Sequence, residues 1–148
     1  MVCGITSTEK NGEIYYFVQW SPLSKADRHE IVAKVPSLAG VFEIYWMDEK
    51  KRLRLFVLGK TDYGGLRSEL RRITDPELCR GDEEAKKILE EKEIWYRYAT
   101  TNSSNVMADV NWFLMNQYFP DNNSVKHSGR YENIYLKESA PDKLMWVL

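Results

Sequence analysis

The chain has 148 residues, 43% of them hydrophobic, enough for one domain over 1–148 that buries a real core without disulfide or metal staples. Lys plus Arg number 21 against 22 Asp plus Glu, and a formal net charge of -1 excludes a global pull toward polyanions, so any nucleic-acid contact must rest on a local patch. Cys3 and Cys79 form no CxxC and have no His at zinc-ligand spacing, and no window holds a signal peptide or about eighteen apolar residues, so the expectation is a cytoplasmic protein with reduced thiols, no metal centre and no membrane span.

Asn11-Gly12 is a hairpin turn signal, and residues 14–20 beyond it alternate and are rich in aromatics, which predicts a strand paired with residues 2–6. Ser24 has the form of a helix N-cap with acidic Asp27 at the third position; its helix runs through Ile31, Val32 and Val35 to the stop at Pro36. Residues 41–47 and 53–58 are apolar, β-branched and aromatic. The charged run 48–52 between them is a hairpin tip, so the two strands should be antiparallel. A period of two puts Phe42 and Ile44 on one face of the first strand and Val41, Glu43 and Tyr45 on the other.

Tyr63-Gly64-Gly65 leads into a helix in which Leu66, Leu70 and Ile73 recur at helical spacing until Asp75-Pro76 ends it. Residues 82–92 open with three acids and place Glu83 before Lys87 in the favourable order for an exposed, peripheral helix. Residues 94–99 alternate as a third strand. A polar loop then precedes a helix with Val106, Met107, Val110, Phe113, Leu114 and Tyr118 on one face, ending before Pro120. Residues 131–137 and 144–148 read as two further strands. The order predicts an α+β fold: a small antiparallel β-sheet with a three-stranded core and extra N- and C-terminal strands, flanked by helices.

Within this order, Gly40-Val41-Phe42 begins the first core strand, Val57-Leu58-Gly59-Lys60 ends the second, and the later helix leads through Asn111 to Pro120 and Asn123. Over residues 24–123 these landmarks resemble the GIY-YIG nuclease superfamily, closest in outline to the N-terminal domain of the bacterial excision-repair nuclease. The resemblance implies a Gly-Ile/Val-Tyr strand, a second strand ending Tyr-Ile/Val-Gly-Lys, an Arg on the following helix, and a Glu placed where Asn111 stands relative to Pro120. It also implies metal-assisted cleavage of a DNA phosphodiester, with Mg as the metal. In the family one tyrosine helps activate the water, the Arg stabilises the phosphorane charge and the Glu holds the metal.

The chain departs from that pattern: the first tyrosine is Phe42, the second is Val57, the Glu is Asn111, and the Arg has no unambiguous counterpart among Arg67, Arg71 and Glu69. Phe42 and Val57 bring no hydroxyl, and Asn111 offers one neutral carbonyl oxygen where a hard cation prefers a carboxylate. Asp109 is swung about 160° around the helix from Asn111, so a shifted ligand is disfavoured against a lost one. The expectation is a degenerate site with weak or lost endonuclease activity.

The candidate catalytic residues for any surviving chemistry are Lys60, Arg67, Arg71 and, as a relocated hydroxyl, Tyr63. Lys60, Arg67, Arg71 and Arg72 could cradle DNA phosphates, because guanidinium groups grip phosphate oxygens in pairs. The competing reading is a solvated helix face with Glu69 compensating, and a loop-anchoring role for Tyr63. His29 and His127 read as surface residues, and Trp20, Trp46, Trp95 and Trp112 as core fillers unless exposed beside a basic groove. Two functions compete: DNA binding on a GIY-YIG-like scaffold, and a non-enzymatic protein-protein interaction module engaging a protein partner or forming a homodimer. A groove joining Lys60 to the Arg-bearing helix favours the first, and a contiguous exposed apolar patch the second.

Overall fold

The computed structural model describes residues 3–62 and 64–142. Asn11 and Gly12 both adopt positive φ (52° and 80°), the geometry that a tight two-residue turn requires, and they join β1 (Ile5–Lys10) to β2 (Glu13–Gln19). The partner strand is thus displaced toward the turn from the expected residues 2–6, with Ile5 opposite Val18 and Thr6 opposite Phe17. At the other end of the chain β7 (Asn133–Ser139) runs parallel to β2, so both termini contribute to one three-stranded sheet of order β1-β2-β7. The expected strand at 144–148 lies outside the described residues.

Ser24 is not a helix cap. It lies in the two-residue strand β3 (Ser24–Lys25), where its backbone pairs with Tyr96, and Asp27 takes the capping role for α1 (Arg28–Lys34). The Asp27 carboxylate accepts from the backbone N–H groups of His29 at 2.9 Å and Glu30 at 3.1 Å, and so satisfies two of the orphan donors at the helix start.

The four-stranded sheet has the order β3-β6-β4-β5, built from β4 (Gly40–Met47), β5 (Leu53–Thr61) and β6 (Ile94–Thr100) together with β3. Its neighbouring pairs are all antiparallel. Gly40 admits β6 at close range, since a Cβ there would overlap the Ala99 carbonyl oxygen. The β4–β5 ladder slips between Ile44 and Tyr45: Val57 faces Ile44 while Leu55 faces Tyr45, which leaves Phe56 as the extra residue of a bulge.

Helices cover both faces. Leu66 and Leu70 of α2 (Gly65–Thr74), Ile31 and Val35 at α1, and Leu89 of α3 (Glu83–Glu91) close over Phe42, Ile44, Ile94 and Tyr96. Each fully buried Leu or Ile contributes roughly 1.5–3 kcal/mol of transfer free energy. On the opposite face Met107, Val110 and Leu114 of α4 (Ser104–Tyr118) pack with Val41, Ala99 and the inner side chains of the small sheet, Ile14, Tyr16, Val18 and Ile134. Trp20 is buried in this second core, whereas Trp46, Trp95 and Trp112 are only half-buried, a correction to the expectation that all four fill the interior.

No helix among the described residues is long and apolar enough to cross a membrane.

Candidate functional site

The residues of the expected phosphate cradle have unequal roles. Arg67 donates from Nε to the Val35 backbone carbonyl at 2.7 Å, which satisfies an acceptor at the C-terminal end of α1 and ties that helix to α2. One edge of its guanidinium is thereby engaged in the scaffold, and its terminal nitrogens have no partner among the described residues. Lys60 lies at the surface near the end of β5 with Nζ 2.9 Å from Asp62 Oδ2, and Arg72 is ion-paired one turn back with Glu69. Arg71 is exposed and has no side-chain partner among the described residues. Tyr63 lies outside the described residues.

The three positions matched to the resembled family's catalytic landmarks are not gathered into one pocket. Phe42 is 2% exposed, packed against Gly59 and the side chains of α1 and α2, and Val57 is a half-buried member of the same cluster. Asn111 lies on α4, whose buried apolar side chains join the core on the other face of the sheet. Its Oδ1 is buried without a hydrogen-bond partner among the described residues, yet it is one neutral oxygen. Among the described residues no three or more His, Cys, Asp or Glu side chains group so that they could hold a metal ion. This donor set does not fit Mg, which binds through carboxylates supplemented by water or phosphate.

A network absent from the expectations occupies the interface between the two sheets. Glu43 Oε1 accepts from Arg97 Nε at 2.7 Å and lies 2.6 Å from Arg97 Nη2, and it also accepts from the Tyr45 hydroxyl. Glu43 and Arg97 are 0% and 3% exposed. The guanidinium lies over the Trp20 ring, 4.4 Å from its centroid, and 3.6 Å from Glu138 Oε1, which accepts from Trp20 Nε1 at 2.8 Å. Strands β4, β6 and β7 and the segment after β2 are thereby fastened together through one charged cluster.

Burial, followed by the neighbouring Glu43 carboxylate, pushes the Tyr45 and Tyr118 hydroxyls well above the ordinary phenol range. Burial likewise raises the Glu138 carboxyl, against the lowering influence of the Trp20 N–H. For Arg97 burial opposes the charge, but Glu43 and Tyr45 more than compensate and its pKa is raised. These phenols stay protonated at neutral pH and cannot act as general bases. The signal was present in the sequence, because Glu43 and Arg97 are the single charged residues of two otherwise uncharged strands.

A second buried carboxylate pins the segment between α4 and β7. Asp109 is 1% exposed and accepts from the Tyr16 hydroxyl at 2.6 Å, Ser128 Oγ at 2.8 Å and Arg130 Nη2 at 2.8 Å. Asp109 and Asn111 are both buried on α4, although two residues apart on a helix. Asn123 also bonds within this region, donating from Nδ2 to the Trp112 carbonyl at 3.4 Å and accepting the Val125 N–H at 2.9 Å.

The outer face of the small sheet carries Tyr15 and Tyr135 as exposed cross-strand neighbours, with ring centroids 4.9 Å apart and an interplanar angle of 16°. His29 and His127 are at the surface, the latter edge-on to Trp112.

Residues 4–148 match the profile of a protein family described as "Uncharacterised protein", and the chain belongs to that family. No curated protein and no solved structure matches it.

Proposed function

We propose that this member of the family is a DNA-binding domain built on a diverged GIY-YIG-like core that has lost metal-dependent cleavage. The order of elements supports the reading: β4 and β5 form the hairpin, α2 with its arginines follows, and β6 returns beside β4 before α4. The observation that carries the loss of cleavage is the chemistry at Phe42, Val57 and Asn111. Two apolar side chains lie on one side of the sheet and one neutral amide is on a helix of the other, with neither a hydroxyl to assist a water nor a carboxylate to hold Mg.

Phosphate contact then falls to Lys60, Arg71 and Arg72, and to the terminal nitrogens of Arg67, whose Nε is already engaged by the Val35 carbonyl. The Lys60–Asp62 and Arg72–Glu69 pairs are at least partly solvated, and such bridges contribute about 0–1 kcal/mol, so a phosphate can exchange for either carboxylate. The test is binding of fluorescent branched and linear DNA across a salt series, comparing wild type with Lys60→Ala/Arg71→Ala, alongside incubation of each DNA with Mg. The reading expects saturable binding, a slope shallower by about 0.9 per lost phosphate contact in the variant, and intact DNA after incubation. Binding unchanged in the variant overturns the assigned face, and cut DNA overturns the loss of chemistry.

The Tyr15–Tyr135 face favours a second reading, a non-enzymatic protein-protein interaction module or homodimer. Sedimentation of the wild type and of Tyr15→Ser/Tyr135→Ser over a concentration series tests it. Self-association lost in the variant supports a homodimer, and a monomer at all concentrations removes it.

A further inference from the structure

We propose that the cleft at the tip of the β4–β5 hairpin is a binding site for single-stranded nucleic acid, taking a phosphate on Arg52 and Arg54 and a base against Trp46. This site goes beyond the α2 face discussed above. It stands at the opposite end of β5, whose nine residues separate the two by roughly 26 Å at about 3.3 Å per step.

The site is built by one carboxylate and one bulge. Asp48 Oδ1 accepts the backbone N–H groups of Lys50 and Arg52, both at 2.9 Å, and so closes the turn in which Lys51 holds a φ of 63°. Its Oδ2 accepts from Nε of Arg52 and Nε of Arg54, each at 3.2 Å. Clamping both arginines through Nε leaves their terminal nitrogens without partners among the described residues. Two guanidinium forks are thereby held side by side before any ligand arrives. Backbone hydrogen bonds from Arg52 and Lys50, and the two guanidinium groups, hold the Asp48 carboxyl down at about 2, so the clamp stays ionised.

The bulge at Phe56 supplies the other half. In an unbroken ladder Trp46 would face Leu55; the slip brings Arg54 opposite it instead. Arg54 and Lys92 lie over the half-buried indole at 6.0 Å and 5.9 Å from its centroid, the outer limit of a cation–ring contact. A phosphate that draws the unclamped Lys92 off the ring frees that part of its face for a base. The cleft of about 360 Å³ is lined by four cations, Lys50, Arg52, Arg54 and Lys92, against Asp48 and Glu49, a local excess of positive charge on a chain that is near neutral as a whole.

The pairing of forked cations with a single aromatic selects the ligand. A base held inside a duplex cannot reach a ring in a cleft, whereas an unpaired base stacks on it while its own phosphate meets the arginines. An anionic membrane is disfavoured because residues 48–52 are all charged and offer no apolar side chain to insert.

The experiment is fluorescence anisotropy of the full chain with a labelled oligothymidine of about a dozen nucleotides. It compares wild type with Arg52→Gln/Arg54→Gln, Trp46→Leu, Lys92→Glu and Lys60→Ala/Arg71→Ala, each checked for its melting transition. The arginine pair is expected to weaken binding about tenfold or more and to flatten the log–log salt slope by about 0.7 per lost contact. Trp46→Leu should weaken binding with the slope unchanged, because stacking releases no counterions. Lys92→Glu, a residue with no hydrogen bond in the fold beyond its backbone, should weaken it even if the arginine pair proves unstable. The loss caused by Arg52→Gln/Arg54→Gln should persist in the Lys60→Ala/Arg71→Ala background, which separates this site from the α2 face. Full affinity in both folded Arg52→Gln/Arg54→Gln and Lys92→Glu, or binding only to phosphatidylserine vesicles and not to the oligonucleotide, overturns the proposal.

Discussion

Replacing Arg97 by Met leaves the buried Glu43 carboxylate without a counter-charge. The wild-type carboxylate takes two close contacts from the guanidinium, 2.7 Å from Nε and 2.6 Å from Nη2, and keeps neutral phenol hydroxyls but no counter-charge from Arg97 once they are gone. Hydrogen bonds to charged groups contribute about 1.5–3 kcal/mol each, and breaking a buried pair from one side costs about 3–5 kcal/mol. Urea unfolding should show a loss of about that size at pH 7, with a thermal midpoint lower by roughly 6–20 °C for a domain of this length. Glu43→Gln should cost less, since Arg97 keeps Glu138 at 3.6 Å and the Trp20 ring. Glu43→Leu/Arg97→Met should recover much of the loss. A loss below about 1 kcal/mol in Arg97→Met, or a double variant no more stable than it, would refute the view that an uncompensated charge dominates.

Glu138 is raised chiefly by burial, so its folded-state pKa lies above the unfolded one and its ionisation subtracts stability as the pH rises past the unfolded value. In Glu138→Gln the stability should fall less between pH 4 and pH 7 than in wild type, measured by urea midpoints; parallel curves would rule out a contribution from Glu138. Asp48 has the opposite sign: its carboxyl is lowered to about 2, so its contribution is present above the ordinary Asp pKa and lost as the pH falls from about 3.9 toward 2. Asp48→Asn should flatten that acid limb, which an acid titration followed by circular dichroism reads directly. Asp109→Ala removes the shared acceptor of Tyr16, Ser128 and Arg130 and should destabilise by about 2–4 kcal/mol. It should also speed hydrogen exchange across residues 120–132 before the rest of the chain; uniform exchange would contradict the pinning role. Gly40→Ala must drive a methyl group into the Ala99 carbonyl and against Leu66, for a loss near the upper end of about 1–3 kcal/mol in thermal melts.

The elements were largely legible because their causes are local. The Asn11-Gly12 turn, the apolar run of β4, the alternation of β6 and the Pro stops act within a few residues, and so the hairpins, the helices and the α+β class were readable from the chain alone. The N-cap was misplaced by three residues for an equally plain reason. Ser24 has the right chemistry for a cap, but its backbone is engaged in a ladder with Tyr96, a partner far along the chain.

Residue type by itself determined that Phe42, Val57 and Asn111 lack the hydroxyl and carboxylate functions of the resembled family, since no conformation can supply an absent group. It could not determine how each cation is held, because that depends on long-range acceptors: Arg67 is tied through Nε to the carbonyl of Val35, the residue that caps α1, and Arg71 is not. Nor could it couple Glu43 to Arg97, which requires β6 to lie against β4 in one register, or set Arg54 opposite Trp46, which requires a bulge that only the packed sheet reveals. A side chain's chemistry is a property of its residue. Its partners are a property of strand register and helix packing, and across strands a shift of one residue exchanges them all.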